Sequence, residues 1–344
     1  MSAIDLEGVQ FPAGRRRLAV FLLGLALVAA AVLASFVIGA RPIAVSTVFD
    51  ALFAYDGRLA EHMIVRDHRL PRTLLGLLCG AGFGVSGALI QAATRNPLAD
   101  PGILGVNAGA AFFVTLAVGL LGFHSIESYL WFALVGASLV TLAVYALGAA
   151  GKDGPTPGRL VVSGVALSAV LGGIGSGIAL LKPEAFDSMR FWSIGSIAGR
   201  NTAIVTAVAP FIAAGLAVAL IVARSLNVVA LGNDLAGALG ATLPRARVLT
   251  LLAVTLLAGA GTAAVGPIGF VGLVVPHLVR WFVGPDQRWI IPMSIIYGPV
   301  LLLAADIVGR LILFPGELEA GIVTAFLGAP ALILLARRRQ ASGL

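Results

Sequence analysis

Apolar runs of considerable length alternate along this chain with short clusters of charge. Stretches free of Asp, Glu, Lys and Arg cover 18–40, 73–94, 101–126, 128–151, 160–181, 201–223, 248–279, 289–305 and 320–336. A helix crosses a bilayer core about 30 Å thick with roughly 20 apolar residues, and the runs match that scale. Residues 248–279 are too long for one crossing and are interrupted at Gly266-Pro267, then at Gly269 and Gly272. Proline removes a backbone donor and glycine loosens a helix, so a turn is predicted near 266–269 with a span on either side. The expectation is an all-α polytopic membrane protein with ten transmembrane helices in a single transmembrane domain, 1–344. An even number of crossings puts both termini on one side. The longest polar connections are 41–72 and 182–200 on one face and 224–247 on the other, the face that also holds the N-terminal segment 1–17.

Composition supports this reading. Of the 344 residues, 59% are hydrophobic and 11% charged, whereas a soluble domain carries about 25% charged residues. The net charge of +7 is distributed unevenly. With the N-terminus inside, the inner segments hold Arg15, Arg16, Arg17, Arg95, Lys152, Arg159, Arg224, Arg245, Arg247, Arg280, Arg288, Arg337, Arg338 and Arg339, 14 of the 23 basic residues. This follows the positive-inside rule, so both termini are expected in the cytoplasm, and the basic excess reads as an orientation signal rather than nucleic-acid binding. A cleaved signal peptide over 15–40 fits poorly, because its apolar region is too long and its removal would leave nine spans. The lone Cys79 lies in an apolar run and reads as a small packed side chain.

The chemistry for self-powered transport or catalysis is missing. Neither lysine sits in a G-x-x-x-x-G-K-[ST] loop, since Asp153 follows Lys152 and Pro183 follows Lys182, so the chain has no P-loop for ATP. No carboxylate is placed deep inside the first eight spans, where ion-coupled carriers keep a relay. Asp306, with Arg310 one turn later, reads as an i,i+4 ion pair. His62, His68, His124 and His277 lack metal-ligand spacing, and no nucleophile–base set is evident, so no catalytic residue is expected. Glycines stripe the second span (Gly80, Gly82, Gly84, Gly87) and the fifth (Gly164, Gly172, Gly173, Gly175, Gly177). Small residues let helices approach closely. Two readings stay open: packing within the chain, or, for the fifth span with its Ser163, Ser168 and Ser176, a face toward a partner or a wide path.

Two connections stand out. One runs Arg69-Leu70-Pro71-Arg72, the second span, Gln91, then Asn96-Pro97-Leu98-Ala99-Asp100-Pro101-Gly102-Ile103-Leu104-Gly105; its prolines and glycines force a compact non-helical loop. The other, 224–247, contains Leu231 to Ala241. There Asn233 or Asp234 can cap a short helix with Leu235, Ala238 and Leu239 on one face, ended by Gly240. With G-P-I-G-F-V-G-L-V-V-P-H-L-V-R at 266–280, A-D-I-V-G-R at 305–310 and G-E-L-E-A-G-I-V-T-A-F-L-G-A-P at 316–330, the chain resembles, over 15–339, the FecCD-type permease family of ATP-binding-cassette importers. That family includes ferric-siderophore, haem and cobalamin permeases.

The resemblance implies a type II importer permease in a bacterial cytoplasmic (inner) membrane. Two permease subunits, identical or related, would form the pore. Two partner ATPases would bind ATP and Mg, and a periplasmic or lipid-anchored binding protein would deliver the cargo. No cofactor or metal is expected in this chain. The resemblance further implies that Asn233, Asp234, Leu235 and Leu239 couple to the ATPase, and that Arg69, Arg72 and Arg310 meet glutamates of the binding protein. Asn96 would lie near the cytoplasmic gate. The fifth span (Ser168, Gly172, Gly173, Ser176) and the tenth, loosened by Gly328, Ala329 and Pro330, would line the path at the dimer interface. A ferric siderophore is the expected cargo, haem or cobalamin the alternative, and a stand-alone secondary carrier the rival class.

Overall fold

The computed structural model describes residues 13–150, 156–230 and 243–338, and every regular element among them is helical. The apolar runs become α1 (Ala13–Val37), α4 (Leu70–Thr94), α5 (Val106–Gly119), α6 (Ile126–Ala149), α7 (Pro157–Leu181), α9 (Thr202–Ala230), α10 (Leu243–Val265), α11 (Val271–Val283), α12 (Gln287–Ile312) and α13 (Ala320–Arg338). Among the described residues, seven helices are long and apolar enough to cross a membrane, and α5, α11 and α13 are apolar but shorter. The expected break near 266–269 separates α10 from α11. Gly266 turns there with φ +77°, and Phe270 takes φ +68° at the start of α11.

Three local features were not expected. Short helices α2 (Val45–Phe53) and α8 (Pro183–Trp192) occupy the two long polar connections. The rod containing α4 begins well before the apolar run: α3 (Ala60–Met63) continues through a wide π turn at Ile64–Arg69 into α4, with Pro71 directly after that turn. The predicted third span opens late, because Asp100 caps a 3-10 turn over Pro101–Leu104 by accepting from the Gly102 N–H at 2.8 Å, and Gly105 reverses the chain at φ +75°.

Helix α4 forms the axis of the bundle, and its glycines explain how. A Cβ on Gly80 would meet the backbone of Gly298 and Pro299, one on Gly84 the Ser294 carbonyl, and one on Gly87 would collide with the Gly272 carbonyl. Backbone thus lies on backbone between α4, α11 and α12, the contact that holds helices together when lipid is as apolar as the side chains. Gly109 and Gly136 do the same between α5 and α6, and Gly164 lets α7 approach the Ile103 carbonyl. The remaining α7 glycines behave differently. Nothing lies within 4 Å of a Cβ on Gly172, Gly173 or Gly177, and the outer face of α7 from Val162 to Leu181 is open. The two stripes therefore separate: the second span's glycines pack within the chain, whereas much of the fifth faces outward.

Proline leaves a specific debt in α11. Pro276 lacks an N–H and so cannot bond the carbonyl four residues back, that of Gly272. Gln91 of α4 fills the gap, donating through Nε2 to Gly272 O at 3.1 Å, while Arg280 Nη2 donates to Gln91 Oε1 at 3.2 Å. The arginine-rich ends converge here. Arg16 donates to the Trp281 carbonyl and Arg17 lies over the Trp289 ring. Asn227 at the end of α9 donates to Asp286 at 2.6 Å and accepts from the Gln287 N–H.

Replacing Gly87 by Ala should destabilise the isolated chain by about 1–3 kcal/mol through overpacking. Gly173→Ala should change it by less than about 1 kcal/mol, helix propensity favouring alanine; thermal unfolding in detergent checks both. Asp286 makes a pH prediction. The Arg288 guanidinium, bonded to both its oxygens, and Asn227 hold its carboxyl well below the usual range. A depressed folded-state value stabilises above the unfolded pKa of about 4, and the contribution fades as pH falls further. The stability gap between the native chain and Asp286→Asn should be constant at neutral pH and close below about pH 4.

Candidate functional site

The end of the bundle opposite these arginines carries a polar cluster built from four elements. Asp306 of α12 lies at its centre with 1% side-chain exposure. One turn on, Arg310 pairs with Asp306 Oδ2 through Nε at 3.0 Å and through Nη2. Arg72, distant in sequence, reaches the same carboxylate from α4, with Nε 3.1 Å from Oδ1 and 3.0 Å from Oδ2, and Nη2 2.7 Å from Oδ1. Its Nη1 donates to Glu317 at 2.7 Å. The remaining donors close the end of α1: Arg310 Nη1 bonds the Ser35 and Ile38 carbonyls at 2.9 and 2.8 Å, and Arg69 bonds the Phe36 and Arg41 carbonyls. Ser35 and Thr73 share a 2.8 Å hydroxyl contact beneath. Carbonyls at a helix C-terminus lack internal partners and carry partial negative charge, so guanidinium groups are well matched to them.

Arg69 and Arg310 are 6% and 3% exposed, with donors on carbonyls at and just beyond the end of α1 and, for Arg310, on Asp306. Within this chain they clamp helix ends. Arg72 alone of the three is at the rim, 12% exposed beside Glu317 at 36%. The i,i+4 reading of Asp306 and Arg310 holds, but within a larger network. A one-turn pair is legible from spacing; Arg72 and Glu317 are not, since only the packing of α4 on α12 brings them in.

The other expected residues do not gather into one site. Asn96 is half-buried and closes its own turn, its Oδ1 accepting from the Leu98 N–H at 3.1 Å. Ser168 faces the Gly105 turn. Gly172 and Ser176 line a groove of about 220 Å³ with Phe112, Thr115 and Met189, between α5, α7 and α8, while Gly173 lies on the open face. Gly328 of α13 makes room for the Phe270 ring, which a Cβ would strike, and Ala329 and Pro330, the latter inside the helix, are exposed. Asn233, Asp234, Leu235 and Leu239 lie outside the described residues. Among the described residues, no three His, Cys, Asp or Glu side chains form a metal-holding group.

The described residues form a glycine-packed, polytopic helical membrane bundle with a buried charge clamp at one end. A model of the FecCD transport family matches residues 26–338, and the chain belongs to that family. It is 49% identical over 310 residues to the ferric enterobactin transport system permease protein FepD of Escherichia coli, covering 90% of this chain and 92% of that one. It is 40% identical over 321 residues to the Fe(3+)-citrate import system permease protein YfmD of Bacillus subtilis, 93% of each. Against the cobalamin import system permease protein BtuC of Halobacterium salinarum the identity is 38% over 82% of this chain and 75% of that one. A solved inward-facing ABC transporter of the metal-chelate type superposes with a TM-score of 0.80 at 27% identity, over 93% of this chain and 99% of that one.

Asp306→Asn removes the carboxylate shared by two arginines. Breaking a buried pair from one side costs about 3–5 kcal/mol, so a large drop in thermal stability is expected. Glu317→Gln, at the exposed rim, should cost less than about 1 kcal/mol. Equal losses from the two substitutions would refute the clamp.

Proposed function

We propose that this chain is the membrane permease of an ATP-driven importer for a ferric siderophore. Two copies, or one copy and a related permease, form the pore, and partner ATPases at the arginine-rich, cytoplasmic end drive it. The identity to the ferric enterobactin permease across nine-tenths of both chains carries the reading of cargo. Two observations support an external energy source. Asp306 is buried and its two oxygens are bonded by Arg72 and Arg310, so it is held in a structural ion cluster rather than standing open on a path. The outer face of α7, whose Gly172, Gly173 and Gly177 have no neighbour within the chain, suits close approach by a helix of a second permease. A substrate-binding protein would meet the opposite end, with Arg72 and Glu317 at the rim.

Reconstitution tests this. Liposomes holding the permease with its ATPase and binding protein should take up radiolabelled iron supplied as a ferric siderophore only when ATP is present inside. ATP-dependent accumulation of cobalamin or haem in place of the iron chelate would reassign the cargo. Accumulation by the permease alone would defeat the importer reading.

A further inference from the structure

At the arginine-rich end the connection Gly284-Pro285-Asp286 joins α11 to α12 and makes the two a hairpin. Gly284 ends α11 at φ +83°, and Asp286 caps α12 by accepting from the Arg288 N–H at 3.0 Å. These are the two helices whose backbones rest on Gly80, Gly84 and Gly87 of α4. Phe270, at the head of α11, also reaches α13 and fills the space at Gly328. Whatever moves the hairpin tip therefore acts on the bundle axis and on an outward-facing helix together.

A side chain from outside the hairpin holds that tip. Asn227 lies in the last turn of α9 and makes two hydrogen bonds of opposite sense across to it. Its Nδ2 donates to Asp286 Oδ1 at 2.6 Å, and its Oδ1 accepts from the Gln287 N–H at 2.8 Å. An amide engaged through both its donor and its acceptor is fixed in orientation as well as position, and its bond to a carboxylate is charge-assisted. Gln287 is buried and the Asp286 side chain is 18% exposed. Parting α9 from the tip would thus strand a donor and an acceptor where water reaches poorly, which is costly. Along the rest of its length α9 packs through apolar side chains, Val208, Ile212, Ala219 and Val222 among them. Contacts of that kind have no direction and tolerate a slide.

We propose that Asn227 is the positioning residue that carries ATP-driven movement of α9 into the α11–α12 hairpin. The inference rests on the reading of this chain as an ATP-driven permease with its ATPases at the arginine-rich end, the end at which α9 leads into the connection to α10. Coupling between distant sites travels through contiguous bonded and packed groups. Asn227, Asp286 and the glycine-packed backbones of α11, α12 and α4 form such a set. With the clasp intact, the hairpin tip follows α9. Without it, α9 slides over its apolar neighbours and the hairpin stays where α4 holds it.

The complete complex, permease with ATPase and binding protein in liposomes, tests this through two readings from the same vesicles. One is phosphate released, the other radiolabelled iron taken up as a ferric siderophore. Asn227→Leu keeps the bulk of the side chain and removes both bonds. It should hydrolyse ATP at close to the native rate, while iron taken up per ATP falls about tenfold, the loss expected of one to two net hydrogen bonds. Asn227→Asp alone sets a carboxylate against Asp286 and should uncouple as well. Asn227→Asp combined with Asp286→Asn exchanges the two groups, restores a donor and an acceptor at each bond, and should recover most of the native ratio. Should Asn227→Leu fail to assemble, Asn227→Asp and the exchanged pair decide the matter. Uptake and hydrolysis falling together, their ratio unchanged, would mark a merely structural contact and overturn the proposal. So would an exchanged pair no better coupled than Asn227→Asp. A native complex that accumulates no iron with ATP present would instead defeat the importer reading, and this inference with it.

Discussion

Backbone-to-backbone contact along α4 is the constraint on which the rest of this structure depends. In a bilayer the hydrophobic effect does not distinguish a neighbouring helix from a lipid tail, so helices stay together through close packing and satisfied polar groups. Gly80, Gly84 and Gly87 bring α4 onto the backbones of α11 and α12. At the closest point, the carbonyl freed by Pro276 is met by Gln91, itself held by Arg280. Proline in a membrane helix thus introduces a polar demand that one side chain of the next helix must meet, and α11 and α4 are registered by it.

With that axis fixed, the periphery is free to differ. Helices α7 and α13 pack through few side chains and turn open faces outward, with Gly173 and Phe326 among the exposed residues. At the end opposite the arginine-rich one, the clamp of Arg69, Arg72, Asp306 and Arg310 belongs to the core. It ties the C-terminal carbonyls of α1 to α4 and α12, and a group of charges so fully satisfied rigidifies rather than relays.

The two ends of the bundle therefore use arginine in two ways. At one end guanidinium groups are consumed by a carboxylate and by helix-end carbonyls. At the other, Arg16 bonds the Trp281 carbonyl, Arg17 lies over the Trp289 ring, Arg280 holds Gln91 and Arg288 pairs with Asp286. Composition alone counts both as positive charge. Their partners differ: one set converges on a single buried carboxylate, and the other is spread over separate helix ends.

Much of this was legible from the order of residues. Long uncharged runs fix where helices can lie, because a backbone in lipid must bond to itself, and Gly266-Pro267 marks the break for the same reason. Motifs spread over the chain pointed to the family. What the linear pattern left undecided was direction. Gly87 and Gly173 are equivalent as letters, yet one touches a carbonyl and the other faces open space. Arg310 reads as the one-turn partner of Asp306, but its bonds to the α1 carbonyls appear only in the fold, and Arg72 finds Asp306 only once α4 lies on α12. Local sequence sets what each segment can be, since hydrogen bonding and solvation act within a few residues. Which side chains meet across hundreds of residues is set by helix packing, and only the folded chain decides it.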